Sequence, residues 1–71
     1  MHISITYCGM WNYLPKASRL KAELVEKYPD TTVELIESSG GVFEVVAEGK
    51  LIFSKKELNR FPETEEIFAS L

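Results

Sequence analysis

The sequence predicts a small α/β domain built on a mixed four-stranded sheet, and three observations carry that prediction. Residues 2–7 alternate between apolar and polar types. From Asn12 the period changes to that of a helix. Further on, Glu48-Gly49 separates two short β-prone runs, as a tight hairpin does. Seventy-one residues make one domain, spanning 1–71. A chain of this size buries only about 60% of the surface exposed when unfolded, so its core must be rich. At 45% hydrophobic residues, with one Trp, three Tyr and four Phe, it is.

The first strand places Ile3, Ile5 and Tyr7 on one face and His2, Ser4 and Thr6 on the other; Cys8 and Gly9 end it. Leu14, Ala17, Leu20, Leu24 and Tyr28 then recur every three or four residues, which predicts a helix from about Asn12 to Tyr28. Pro15 fits only in its first turn, where a missing N–H costs nothing, and Pro29 stops it. Thr31 to Glu37 reads as a second strand, Val42 to Ala47 as a third and Lys50 to Ser54 as the returning arm of the hairpin. A polar stretch follows. Pro62 and the acids Glu63, Glu65 and Glu66 announce a last helix, whose short apolar face is Ile67, Phe68 and Leu71.

A strand–helix–strand crossover is right-handed and makes strands one and two parallel, whereas the hairpin is antiparallel. The expected strand order is 2-1-3-4, with both helices on one face. That β-α-β-β-β-α arrangement is a reduced thioredoxin-like core.

Charge and cysteine count narrow the function. The net charge is −3 and no basic stripe tracks a phosphate backbone, so nucleic acid is not an expected partner. No apolar run approaches the roughly 20 residues of a membrane span, so no membrane partner is expected either. Met1-His2-Ile3-Ser4 does not open like a signal peptide, and the expected compartment is the cytoplasm. One cysteine closes no internal disulfide, and one cysteine with one histidine supplies no zinc tetrad. No metal and no resident cofactor are expected, and a monomer is.

Cys8 stands where the first strand feeds the first helix. A helix N-terminus stabilises a thiolate, and the adjacent Gly9 lets the chain turn tightly and leaves the sulfur uncrowded. A thiolate so placed attacks disulfides, peroxides and glutathione adducts. Set against this, a free cysteine is often just a small buried hydrophobe at a strand end. Position alone weighs the two evenly.

The run Tyr7-Cys8-Gly9-Met10-Trp11-Asn12-Tyr13, followed by Lys16-Ala17 and Leu20, resembles the opening of the selenoprotein W-like (Rdx) family. Gly41-Val42-Phe43-Glu44-Val45, Gly49-Lys50-Leu51-Ile52-Phe53-Ser54-Lys55-Lys56 and Arg60-Phe61-Pro62 continue the likeness over the whole chain. The resemblance implies a thioredoxin-like fold and a role in thiol redox chemistry, often linked to glutathione. Cys8 matches the family's first redox cysteine, and Gly9, Met10 and Trp11 become the binding candidates beside it. Trp11 falls where the family places a second cysteine or a selenocysteine, so an intramolecular two-thiol cycle is impossible here.

Three explanations of Trp11 stay open: an apolar residue packed on the first helical turn, a surface aromatic that grips a partner or glutathione, or a selenocysteine position replaced or misread, since UGA and UGG differ by one base. Glu44 interrupts an apolar strand and reads as an outward or edge-paired carboxylate rather than a base for Cys8. His2 is separated from Cys8 by roughly 20 Å of extended strand, so no Cys–His pair is expected. Gly40-Gly41 stands where thioredoxins carry a cis-proline, and either makes the turn or lets a partner backbone approach. Ser54-Lys55-Lys56 reads as a solvated strand end.

Two functions fit. The first is a redox adaptor whose Cys8 forms mixed disulfides with glutathione or a client protein. The second is a redox-inactive interaction module that keeps the fold. Whether the chain turns over a substrate as an enzyme is left open. Exposure of Cys8 discriminates between the two: an exposed sulfur favours redox work, a buried one the module.

Overall fold

The computed structural model describes all of residues 1–71. Four strands, β1 (His2–Cys8), β2 (Thr32–Ser38), β3 (Phe43–Ala47) and β4 (Lys50–Ser54), form one sheet in the order β2-β1-β3-β4. β1 runs parallel to β2 and antiparallel to β3, and β3 is antiparallel to β4. The three helices are α1 (Leu14–Lys27), α2 (Lys55–Leu58) and α3 (Thr64–Ala69). This is the thioredoxin-like α+β arrangement that the sequence predicts, with the expected strand order.

β1 is the hub because it pairs on both sides, so its alternation sets the register of its neighbours. Ile3, Ile5 and Tyr7 bury on one face against Val33, Phe43, Val45 and Ala47. Ala17, Leu20 and Leu24 of α1 and Ile67 of α3 close over the same core. Each fully buried aliphatic side chain contributes about 1.5–3 kcal/mol relative to exposure. The predicted α1 stripe needs trimming at its ends, since Leu14 is exposed and Tyr28 half-buried.

Local rules explain the boundaries. Pro15 is the second residue of α1, within the turn whose N–H groups lack helical partners. Glu48 and Gly49 take φ of 51° and 79°, the two left-handed residues that match a hairpin's twist. The carboxylates of Glu63 and Glu66 complete a reciprocal capping box at the start of α3. The sequence reading missed α2. Its single turn, Lys55-Lys56-Glu57-Leu58, ends at Asn59 with φ 59° and buries no residue, so it leaves no apolar period to find. No helix is long and apolar enough to cross a membrane.

Candidate functional site

Cys8 ends the central strand and is tied down on both flanks. It stands opposite Ser38 of β2, and its N–H donates to the carbonyl of Val42 at 2.9 Å. The next N–H, that of Gly9, donates to Ser38 at 3.1 Å. The chain then leaves the sheet in a turn of residues 9–13. In it, the Asn12 N–H donates to Gly9 O and the Tyr13 N–H to Cys8 O, each at 3.2 Å. Asn12 takes the left-handed conformation, φ 59°, which asparagine tolerates better than most residues.

Two expectations about Cys8 are corrected. First, α1 begins only at Leu14, with Tyr13 as its N-cap, so the thiol does not sit at the helix N-terminus. The helix field fades within one turn, and the intervening five residues remove the sulfur from it. Second, the sulfur is not uncrowded, because Cys8 is 0% exposed. Strand alternation alone would put Cys8 outward with Ser4 and Thr6. It is buried nonetheless, yet stands outside the core cluster formed by the other apolar side chains.

Gly9 does not take a positive φ, and the space beside it is filled by a side chain. A Cβ there would lie 2.2 Å from Oε2 of Glu37, whose side chain leans across the glycine from the end of β2. Met10 and Trp11 form the crest of the turn and are 87% and 61% exposed. Trp11 therefore does not pack as a core residue of the first helical turn. Its indole meets Tyr13 edge-on at 6.1 Å, and Tyr13 meets Phe61 at 4.7 Å. The other side of the indole lies on Gly41, which is buried beneath it with φ 73°. The room that Gly40-Gly41 was expected to offer a partner is thus taken up by the chain's own tryptophan.

Lys55 is not the solvated strand end that the sequence suggests. It opens α2, is half-buried, and holds its ammonium 5.6 Å from the Tyr13 ring centroid and 5.4 Å from that of Phe61. Lys16 covers Phe61 at 4.6 Å. Lys56 reaches toward Gly40, its Nζ 3.6 Å from where a Cβ would stand. Sequence separation hid this cluster: Tyr13 and Lys55 meet only through the fold.

Glu44 and His2 stay outside the site, as expected. Glu44 lies between Thr6 and Ser54 in the sheet and accepts a long hydrogen bond from the Ser54 hydroxyl at 3.4 Å. His2 faces Glu34 at 3.7 Å, at the opposite end of β1 from Cys8.

Comparison with known proteins agrees with this fold. The sequence pattern of the Rdx family matches residues 2–71. Selenoprotein W of Macaca mulatta is 36% identical over 72 residues, covering 97% of this chain and 83% of that protein. Selenoprotein W of Gallus gallus is 32% identical over 68 residues, covering 92% and 80%. Among solved structures, a selenoprotein W-related protein from Vibrio cholerae superposes with a TM-score of 0.92 at 28% identity, covering 97% of this chain and 89% of that one. A Bordetella parapertussis protein gives 0.91 at 27% identity, covering 97% and 90%. The chain belongs to the Rdx family of selenoprotein W-like proteins, and that membership supports a redox-related role.

Proposed function

We propose that this chain is a thiol redox adaptor whose Cys8 forms a mixed disulfide, with glutathione or with a client protein, when the turn of residues 9–13 opens. The observation that supports this reading best is the setting of Cys8. By resemblance it matches the family's first redox cysteine, and it ends β1 outside the hydrophobic core cluster, beside a turn closed by two backbone bonds. Within that turn only two backbone bonds close, each at 3.2 Å, and its crest residues Met10 and Trp11 are exposed. Segments with few buried contacts open at a small fraction of the global unfolding free energy.

In the reaction, the Cys8 thiol loses its proton to solvent and attacks one sulfur of glutathione disulfide. The Cys8–glutathione S–S bond forms, the original S–S bond breaks, and glutathione thiolate leaves and takes up a proton. With Trp11 at the resolving position, a second external thiol must release the adduct. Intact mass after native treatment with glutathione disulfide tests this, with one glutathione per chain as the expected gain.

A specific observation favours a second reading, the redox-inactive interaction module. Cys8 is fully buried while Met10 and Trp11 are presented to solvent, which is the pattern expected of that module. A native chain that takes up no glutathione, yet is alkylated readily once unfolded, decides for it.

A further inference from the structure

The four ion pairs of the chain use its N-terminus, His2, Arg19 and Arg60, so none of its lysines is engaged by a carboxylate. Two of those lysines, Lys16 and Lys55, lie on the aromatic row that adjoins the Cys8 turn, and Lys56 stands beside Gly40. Lys16 and Lys55 are held over Phe61, Lys55 also over Tyr13, and Lys56 at Gly40, next to the glycine that carries Trp11. Ring faces fix an ammonium without neutralising it, so the charge stays available to a ligand. A local concentration of three cations is unexpected in a chain of net charge −3. Of the nearby acids, Glu23 pairs with Arg19, Glu63 caps α3 and Glu37 lies across Gly9, while Glu57 of α2 makes no ion pair.

Beside this row a cleft of about 360 Å³ runs between α1 and residues 61–64, lined by Lys16, Arg19 and Phe61 but also by Glu23 and Glu63, and Lys55 and Lys56 stand outside it. Past Tyr13, the exposed Trp11 and Met10 add an apolar ledge. Outside that cleft, lysines set around aromatic rings suit a chain bearing carboxylates and one apolar side chain.

We propose that this surface recognises an acidic, extended segment of a protein client, with carboxylates on Lys16, Lys55 and Lys56 and an apolar side chain against Trp11. The proposal rests on the reading that a protein is among the partners of Cys8, and it names that partner's chemistry.

Trp11 is the only tryptophan, so its fluorescence reports binding directly. The probe is an acetylated Glu-Glu-Leu-Glu-Glu peptide at low ionic strength, compared with the same peptide carrying glutamine in place of glutamate. It contains no cysteine, so the result is independent of whether Cys8 reacts. The glutamate peptide should shift the Trp11 emission, the glutamine peptide should not, and added salt should abolish the difference. Lys56→Glu, at an exposed position, should weaken binding roughly three- to tenfold, and Lys55→Gln should weaken it less. Lys21→Glu, on the exposed face of α1, should leave it unchanged. Equal binding of both peptides, no binding of the glutamate peptide, or equal weakening by Lys21→Glu and Lys56→Glu overturns the proposal. Capture by phosphatidylserine vesicles without binding of the glutamate peptide overturns it in favour of a membrane surface.

Discussion

The indole of Trp11 rests on the backbone of Gly41, so closely that a Cβ on the glycine would stand 2.6 Å from Cζ3 of the ring. Gly41 also holds a left-handed φ of 73°. One position is therefore reserved for glycine twice, by conformation and by contact. It joins the crest of the Cys8 turn to the start of β3.

Those two causes separate in a double-mutant cycle. Gly41→Ala should destabilise the chain by about 1–2 kcal/mol from the left-handed backbone alone, with a further loss from the displaced indole. Trp11→Ala should cost little by itself, because the ring is mostly exposed. In the Trp11→Ala background, Gly41→Ala should keep only its backbone cost, giving a measurable coupling between the two sites. Urea denaturation of the four proteins reads this out, and strict additivity would show that the contact carries no energy.

Gly9 should behave differently. The atoms in the way of a Cβ belong to the Glu37 side chain, which is exposed and able to swing aside. Gly9→Ala should therefore change stability by less than about 0.5 kcal/mol, and Glu37→Ala should remove even that. Gly9→Val places a larger group in the same gap and should alter the rate of Cys8 alkylation more than the stability of the sheet. An unchanged alkylation rate would make the glycine incidental.

Much of this architecture was legible in the residues, and the exceptions share a cause. β1, α1, the hairpin and the strand order follow from Ile3, Ile5 and Tyr7, from Ala17, Leu20 and Leu24, and from Glu48-Gly49, all of which are local patterns. Cys8 stands out by its place at the end of the first strand, and Trp11 through the family context. A buried Cys8 was one of two readings the residues weighed evenly; alternation assigns it to the outer face with Thr6, and only the fold around the strand end encloses it. The role of Lys55 was not legible, because its ring partners Tyr13 and Phe61 come from two other parts of the chain.

One ion pair near α3 contributes to acid stability. The guanidinium of Arg60 donates to both carboxylate oxygens of Glu66, and the N–H of Glu63 adds another bond, lowering the Glu66 pKa to about 2. A carboxylate whose folded pKa is depressed stabilises the fold above its unfolded value, about 4.3. That contribution should fade as the pH falls from there through about 2. Glu66→Gln should flatten the fall of Tm over this range, and an acid limb identical to the wild type would contradict the assignment.

Trp11→Cys returns a second thiol to the turn. Residues 9–12 form a turn ahead of the helix, closed by the Asn12 N–H on Gly9 O, so the new sulfur would sit at an exposed crest with Cys8 buried behind it. After glutathione disulfide treatment the variant should lose two hydrogens' mass and carry no glutathione, whereas the natural chain should keep its adduct until an external thiol is added. A variant that retains glutathione as long as the natural chain would show that the turn does not bring the two positions together.

Redox work by Cys8 requires that the thiol be reached by a local opening of residues 9–13. Alkylation of Cys8 by iodoacetamide, followed as a function of urea below the unfolding transition, measures that most directly. A local opening exposes little surface, so the rate should stay nearly flat until global unfolding begins. A rate that climbs from the first additions of urea, with the full slope of equilibrium unfolding, would mean that the thiol is met only in the unfolded chain and does no redox work in the folded one.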